Sequence, residues 1–494
     1  MGILKKLASQ TAIYGVSSIV GRFLNYLLVP LYTYYFSAAE YGVVAEFYAY
    51  AGFFAVLLLF GFETGYFRFR DQASPARDVA YSTALIFVLT ANLGFFALMA
   101  LINAPLAAML HYADHPEYVL WFAIILTLDA IGAIAFARLR AGEQALRFAT
   151  IKIIEILVTI LLSLFFIVYC PKLYEQNPHG WVNLVYNPAV GIGYIFIANL
   201  IASLVKFILL APQLRGIIWG FDSALFGRML RYSLPMVVIG FAGIINEMLD
   251  RVLLKYLLPY DLKTNMAMLG IYSACYKLSI LMTLFIQAFR FAAEPFFFAY
   301  ADKSDARAIY AEVLKYFVIF CVGIFLLVTL YIDFFKYFIG EEFRAGLPVV
   351  PILLLANLFL GIYVNLSIWY KLTDRTLMGA WVALGGAALT IGLNIWWIPV
   401  FGYLGSAWAT LACYGGMALV SYLLGRKFYP VEYDIRRILG YILLGLGLYG
   451  AQTQLTSQLD WRPWITGTAL LLIYLALAAR LDGRAVLARL RARQ

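Results

Sequence analysis

The chain has 494 residues, 64% of them hydrophobic and 13% charged, with a mean hydropathy of +0.84. Water-soluble domains run at about 45–50% apolar and about 25% charged, so this composition excludes a soluble fold. The net charge of +10 would suit nucleic acid, yet the Lys and Arg residues are scattered through short connections and form no aromatic-rich patch, so no nucleic-acid partner is expected.

A bilayer core takes about 20 mostly apolar residues per helix. Runs of that kind lie at about 11–36, 41–65, 79–102, 117–137, 149–170, 190–211 and 232–258, then at 267–289, 309–332, 347–370, 376–398, 403–425, 437–453 and 463–480. The residue-by-residue alternation of a membrane β-barrel is missing. The predicted fold is therefore all-α: a polytopic membrane protein of about fourteen transmembrane helices. Lys5 and Lys6 precede the first run as in a signal peptide. Arg22 and Asn25 interrupt that run and no small-residue cleavage site follows, so it is expected to remain as a span.

Cytoplasmic connections hold excess Lys and Arg, and a missed span would invert every later connection. With fourteen spans, most of the 37 basic residues fall on the side of the N-terminus, which predicts that both termini are cytoplasmic. That side receives Arg68, Arg138, Lys152, Lys206, Arg231, Lys315 and the tail from Arg480; Lys255 and five others are assigned to the opposite side. A connection at 212–231 divides the first twelve spans into lobes at 1–211 and 232–428, with two further spans and a basic tail at 429–494. GRFLNYLLVPLY followed by Glu40, Tyr41 and Gly42 is faintly echoed by LDRVLLKYLLPY followed by Leu269, Gly270, Ile271 and Tyr272. An even number of spans per lobe relates such repeats by an axis along the membrane normal.

A charge at mid-span costs about 2.5–3.5 kcal/mol on insertion scales, so it faces a bundle interior or a wet cavity. Arg22 shares a helical face with Ser18 and Asn25, either toward a cavity or in a structural pair. Asn246, Glu247, Asp250 and Arg251 gather in the seventh run; Glu247 and Arg251, four apart, form either a self-neutralised knot or a binding group. Lys277 has no acid three or four positions away and is a candidate ligand group. Arg290 and Glu294 pair at the end of the eighth run, before Pro295. Asp129 and Glu155 are lone acids that either bind a coupling cation or hydrogen-bond a neighbouring helix. Pro30, Pro235, Pro295, Pro351 and Pro399 are expected to kink their spans.

Cys170, Cys275, Cys321 and Cys413 show no CxxC or paired spacing and read as small buried hydrophobes. The histidines, His111, His115 and His179, fall in predicted outer connections, so no buried acyl-transfer centre is expected. There is no GxxxxGK[ST] loop for an ATPase. Outer connections are too short and Arg-poor for a glycan polymerase. No enzymatic activity and no cofactor are expected.

Several segments resemble the multidrug/oligosaccharidyl-lipid/polysaccharide flippase superfamily, in particular its bacterial polysaccharide-exporter branch of Wzx-type O-antigen and capsule flippases. They are GRFLNYLLVPLY with Arg22, EYG at 40–42, AFARLRAGEQALRFATIKIIEIL at 135–157, YSLPMVV at 232–238, LDRVLL at 249–254, LGIYSACYKL at 269–278 and FGYLGSAWATL at 401–411. The segment PYDLKTNMAM at 259–268 is longer than the usual link before LGIY.

The resemblance implies two six-helix lobes around a cavity that opens alternately to each face of the bacterial inner membrane. It carries undecaprenyl-diphosphate-linked oligosaccharide outward, with membrane lipids and polysaccharide polymerase or assembly proteins as partners. Cationic cavity residues meet the diphosphate in such relatives. Arg22 and Lys277 best match that role here, with Asn25, Arg251 and Arg290 as further candidates. A proton or sodium ion at Asp129, Glu155, Glu247 or Asp250 is the candidate coupling ion. A multidrug exporter, a lipid II flippase and a non-transporting partner of glycosyltransferases are the rival readings.

Overall fold

The structure, a computed structural model, describes residues 15, 19–70, 77–215, 220–458 and 462–483. Lys5, Lys6, Ser18 and the tail beyond 483 lie outside the described residues. Among the described residues there is no strand, and helices follow one another through short connections. Backbone groups in lipid have no water to bond, and helices satisfy them internally.

Residues 19–26 are helical and continue after a one-residue turn into α1 (Leu28–Tyr35). Next come α2 (Ala38–Leu59), α3 (Arg77–Leu101), α4 (Glu117–Ala141), α5 (Ala145–Leu164), α6 (Gly193–Leu214) and α7 (Ser223–Leu257). They are followed by α8 (Leu262–Lys277), α9 (Ile280–Tyr300), α10 (Ala306–Leu330), α11 (Val349–Leu366), α12 (Thr376–Phe401), α13 (Tyr403–Phe428), α14 (Ile435–Gln458) and α15 (Pro463–Ala478).

Twelve helices among the described residues are long and apolar enough to cross a membrane. They fall at twelve of the fourteen predicted runs; the 35-residue α7 lies at the seventh run but is not among the twelve, and the first run lies partly outside the described residues. The protein is a polytopic all-α membrane protein. Large apolar side chains such as Trp381, Trp396, Val400 and Leu443 stand exposed on the spans, as lipid-facing positions must. The eighth run differs in detail: it breaks at Leu278–Ser279 into α8 and α9, and α9 continues through Pro295 to Tyr300, ten residues past Arg290. Asn357 of α11 donates to the Ser279 hydroxyl at 3.2 Å, holding the break.

Contacts group the chain into two compact units: residues 1–256 with 261–270, and residues 257–260 with 271–494. In the first unit, α4 is the most enclosed helix, clasped by α3 and α6. The Ser37 hydroxyl and the Glu40 carboxylate close a capping box at the start of α2. At the other end of α2, Phe60 and Gly61 both take positive φ, 50° and 66°, and turn the chain into a short helix, Phe62–Phe69. A Cβ on Gly61 would stand 3.0 Å from the Ser233 carbonyl, so α7 approaches here because a side chain is absent. Gly52 and Gly65 also meet α7, at Met248 and Ser233. Asp261 caps α8 by accepting from the Thr264 amide at 3.1 Å and its hydroxyl at 2.6 Å, which holds the Asp261 carboxyl below the usual range. Within the segment 259–268, Asp261 is thus the cap and 262–268 are the first turns of α8.

In the second unit, α10 and α11 are the most enclosed helices. The last two spans dock along α10. Gly445 lets α14 approach Val322, Gln452 donates to the Leu330 carbonyl at 2.9 Å, and Tyr474 donates to the Ile319 carbonyl at 2.6 Å. All four cysteines are buried and free.

Candidate functional site

Arg22 and Asn25 are both exposed on the helix 19–26, whose Gly21 packs against Ile156 of α5. Among the described residues Arg22 has no acidic partner. An exposed, uncompensated guanidinium within a span cannot rest in hydrocarbon and requires a wet surface.

Charges in α7 divide into two groups. Arg251 reaches Asp250 Oδ1 at 3.1 Å and the Glu247 backbone carbonyl at 2.5 Å, and Asp250 and Arg251 are buried while Glu247 is exposed. The Glu247–Arg251 pair expected from spacing is therefore an Asp250–Arg251 pair, with Glu247 contributing its main-chain oxygen. One turn on, Lys255 is enclosed instead of lying in an outer connection. Its Nζ donates to both Glu46 oxygens, at 2.8 and 3.0 Å, and to the Leu110 carbonyl at 2.7 Å. Glu46 is completely buried and also accepts from the Tyr50 and Tyr112 hydroxyls at 2.7 and 2.5 Å. The next residue of α2, Phe47, packs against Tyr118, Phe122 and Phe196. Every ammonium proton has an acceptor, which is the condition under which a buried ion pair is tolerated.

Asp129 and Glu155 are not lone acids. Lys206 of α6, buried although the sequence suggests a connection residue, donates to Asp129 Oδ1 at 2.7 Å and to Glu155 Oε1 at 2.5 Å. The Ser203 hydroxyl donates to the same Asp129 oxygen at 2.9 Å, and Lys152 meets the other Glu155 oxygen at 3.1 Å. Two acids and two bases from α4, α5 and α6 thus balance. The Asp129 side chain is 45% exposed while that of Lys206 is 4% exposed, so the cluster has an open acidic edge and a closed basic centre.

In the second unit, Lys277 closes α8 and is exposed. Arg290 stands 4.0 Å from Glu294, which also pairs with Lys371; all three are substantially exposed. Asp482, nearly fully buried, collects Lys315 at 2.6 Å, Arg437 at 2.8 Å and the Tyr441 hydroxyl at 2.7 Å, so these charges fasten the last two spans to α10. Sequence reasoning misses Glu46, Lys206 and Asp482 as site-forming residues. Each has its oppositely charged partner 45 or more positions away, and the one local signal is an ionisable residue within or beside an apolar run.

A family profile described as "Polysaccharide biosynthesis protein" matches residues 7–301. Comparison with curated proteins finds no match. Among solved structures, a lipid II flippase MurJ in an inward closed conformation superposes with a TM-score of 0.71 at 16% identity, covering 95% of this chain and 99% of that one. An inward-facing multidrug resistance MATE family transporter of the MOP superfamily gives 0.64 at 13% identity, covering 87% and 95%. An outward-facing multidrug resistance MATE family transporter gives 0.61 at 13% identity, covering 87% and 96%. The helical architecture described above is the fold these transporters share.

Proposed function

The chain belongs to the polysaccharide biosynthesis protein family, and from that premise we propose that it is a flippase that moves a lipid-linked oligosaccharide across the bacterial inner membrane. The substrate class is an undecaprenyl-diphosphate glycan, carried from the cytoplasmic to the outer leaflet by alternating access for assembly of a surface polysaccharide such as O-antigen. Both termini are cytoplasmic in this reading, and polymerase or assembly proteins take the flipped lipid.

The observation that carries the reading, beside the family match, is the exposed Arg22 on a membrane helix. A diphosphate diester bears two negative charges, and a guanidinium grips such oxygens in a bidentate fashion. Asn25, one turn away, supplies a neutral donor. Lys277 and Arg290, both exposed, are assigned to the path of the same group, and Arg251 to its support from α7. Glu247 and Asp250 remain candidates for coupling an ion.

The test is leaflet-resolved analysis of lipid-linked oligosaccharides in cells lacking this protein, complemented by wild type or by Arg22→Ala. Wild type should clear a diphosphate-linked glycan from the cytoplasmic leaflet, and Arg22→Ala should fold but fail to do so. If no such lipid accumulates without the protein, the reading falls. A second reading is a lipid II flippase, favoured by the coverage of 95% of this chain by the MurJ structure. Rescue of cell-wall synthesis in cells depleted of their lipid II flippase separates the two.

A further inference from the structure

We propose that Lys206 is a tethered counter-ion: its ammonium stands where a monovalent cation would bind between Asp129 and Glu155, so this acid pair neither takes up nor releases an ion during transport. The inference departs from the cation-coupling role that the two acids suggest in sequence. It rests on geometry in one unit and is independent of the substrate.

Asp129 projects from α4 and Glu155 from α5. Among the described residues, the groups joining them are the Lys206 ammonium and, at their flanks, the Ser203 hydroxyl and the Lys152 ammonium. Oxygens at 2.7 and 2.5 Å from one positive centre are spaced as they would be around a bound alkali cation, with nitrogen in its place. The Lys206 side chain is closed off, so its charge cannot be shared with water. Two carboxylates that share one near neighbour repel each other unless a positive charge lies between them. Lys206 supplies that charge from the chain. Because it is covalently held, it cannot be exchanged for sodium or potassium.

Removal of the ammonium should convert the pair into a cation site. The Lys206→Ala variant leaves Asp129 and Glu155 without the ammonium between them, with Lys152 balancing only one of them. A ligand that binds only the folded state raises the unfolding midpoint as its concentration rises.

Purified wild type, Lys206→Ala and the double variant Lys206→Ala/Asp129→Asn would be prepared in sodium chloride. Each would be exchanged at pH 8 into sodium, potassium or choline chloride of equal ionic strength, and the midpoint followed by tryptophan fluorescence. Wild type should be indifferent to the salt. Lys206→Ala should fall in choline and recover by about 4 °C in an alkali chloride, and the double variant should need no cation. A sodium response in wild type that Asp129→Asn abolishes would overturn the proposal, as would a Lys206→Ala variant no more sensitive than wild type. If Lys206→Ala cannot be isolated, the double variant must be. Loss of both would make Lys206 a packing residue and end the tethered-ion reading.

Discussion

At the residue scale, buried ion pairs and clusters hold most of the charge placed in the helices among the described residues, and the Glu46–Lys255 pair is the most enclosed. Its worth is conditional. Breaking one side of a buried pair leaves an uncompensated charge and costs about 3–5 kcal/mol, whereas replacing both with apolar side chains of similar volume is often close to neutral. Glu46→Leu and Lys255→Met should each lower the thermal midpoint sharply, while the double variant recovers most of the loss; additive effects would show that the two do not form one unit. Lys255 lies near the end of its apolar run, so the positive-inside rule assigns it to a connection. Its true partner, 209 positions away, carries no sequence signal. Lys206 misleads in the same way. By contrast, Arg22, the proposed diphosphate contact, stands out in the sequence as a cation within an apolar run with no acid three or four positions away.

At the element scale, the twelve candidate spans among the described residues were legible because a bilayer imposes a minimum apolar length that nothing else in the chain needs. Breaks within spans were not. The Phe60–Gly61 turn and the Leu278–Ser279 break lie inside continuous apolar sequence, and what fixes them is a close-packed neighbour or a distant hydrogen bond. The repeat echo gains a physical meaning. A Cβ on Gly42 would run into the Met266 carbonyl, four residues before Gly270, and a Cβ on Gly270 into the Ala38 carbonyl, four before Gly42. Gly42 and Gly270, one in each half of the faint echo, therefore meet reciprocally, backbone on backbone, at the start of α2 and in α8. Gly42→Ala should lower the thermal midpoint and the yield of folded protein, since two backbones must separate. Gly385→Ala, in open space mid-way along α12, should raise stability by about 0.5–1 kcal/mol. Equal effects at the two sites would mean that helix propensity, not helix approach, governs Gly42.

At the scale of the whole molecule, the energetics of the proposed transport turn on what crosses with the lipid. If Lys206 keeps Asp129 and Glu155 neutralised, those acids bring no counter-ion, and a diphosphate lipid moves as two negative charges. Each charge gains about 2.3 kcal/mol per 100 mV, so an inside-negative potential of that size favours outward passage by about 4.6 kcal/mol. At 1.4 kcal/mol per decade that is an outer-to-inner ratio of about 10³. Protein reconstituted in vesicles with a fluorescent undecaprenyl-diphosphate sugar, clamped by a potassium gradient and valinomycin, should concentrate the lipid in the leaflet on the positive side. Removing the gradient should return it to an even distribution, and Arg22→Ala should show neither. A distribution that ignores the potential but follows a sodium or proton gradient would require an ion to move with the lipid, and Glu247 and Asp250 would then be the acids to neutralise next.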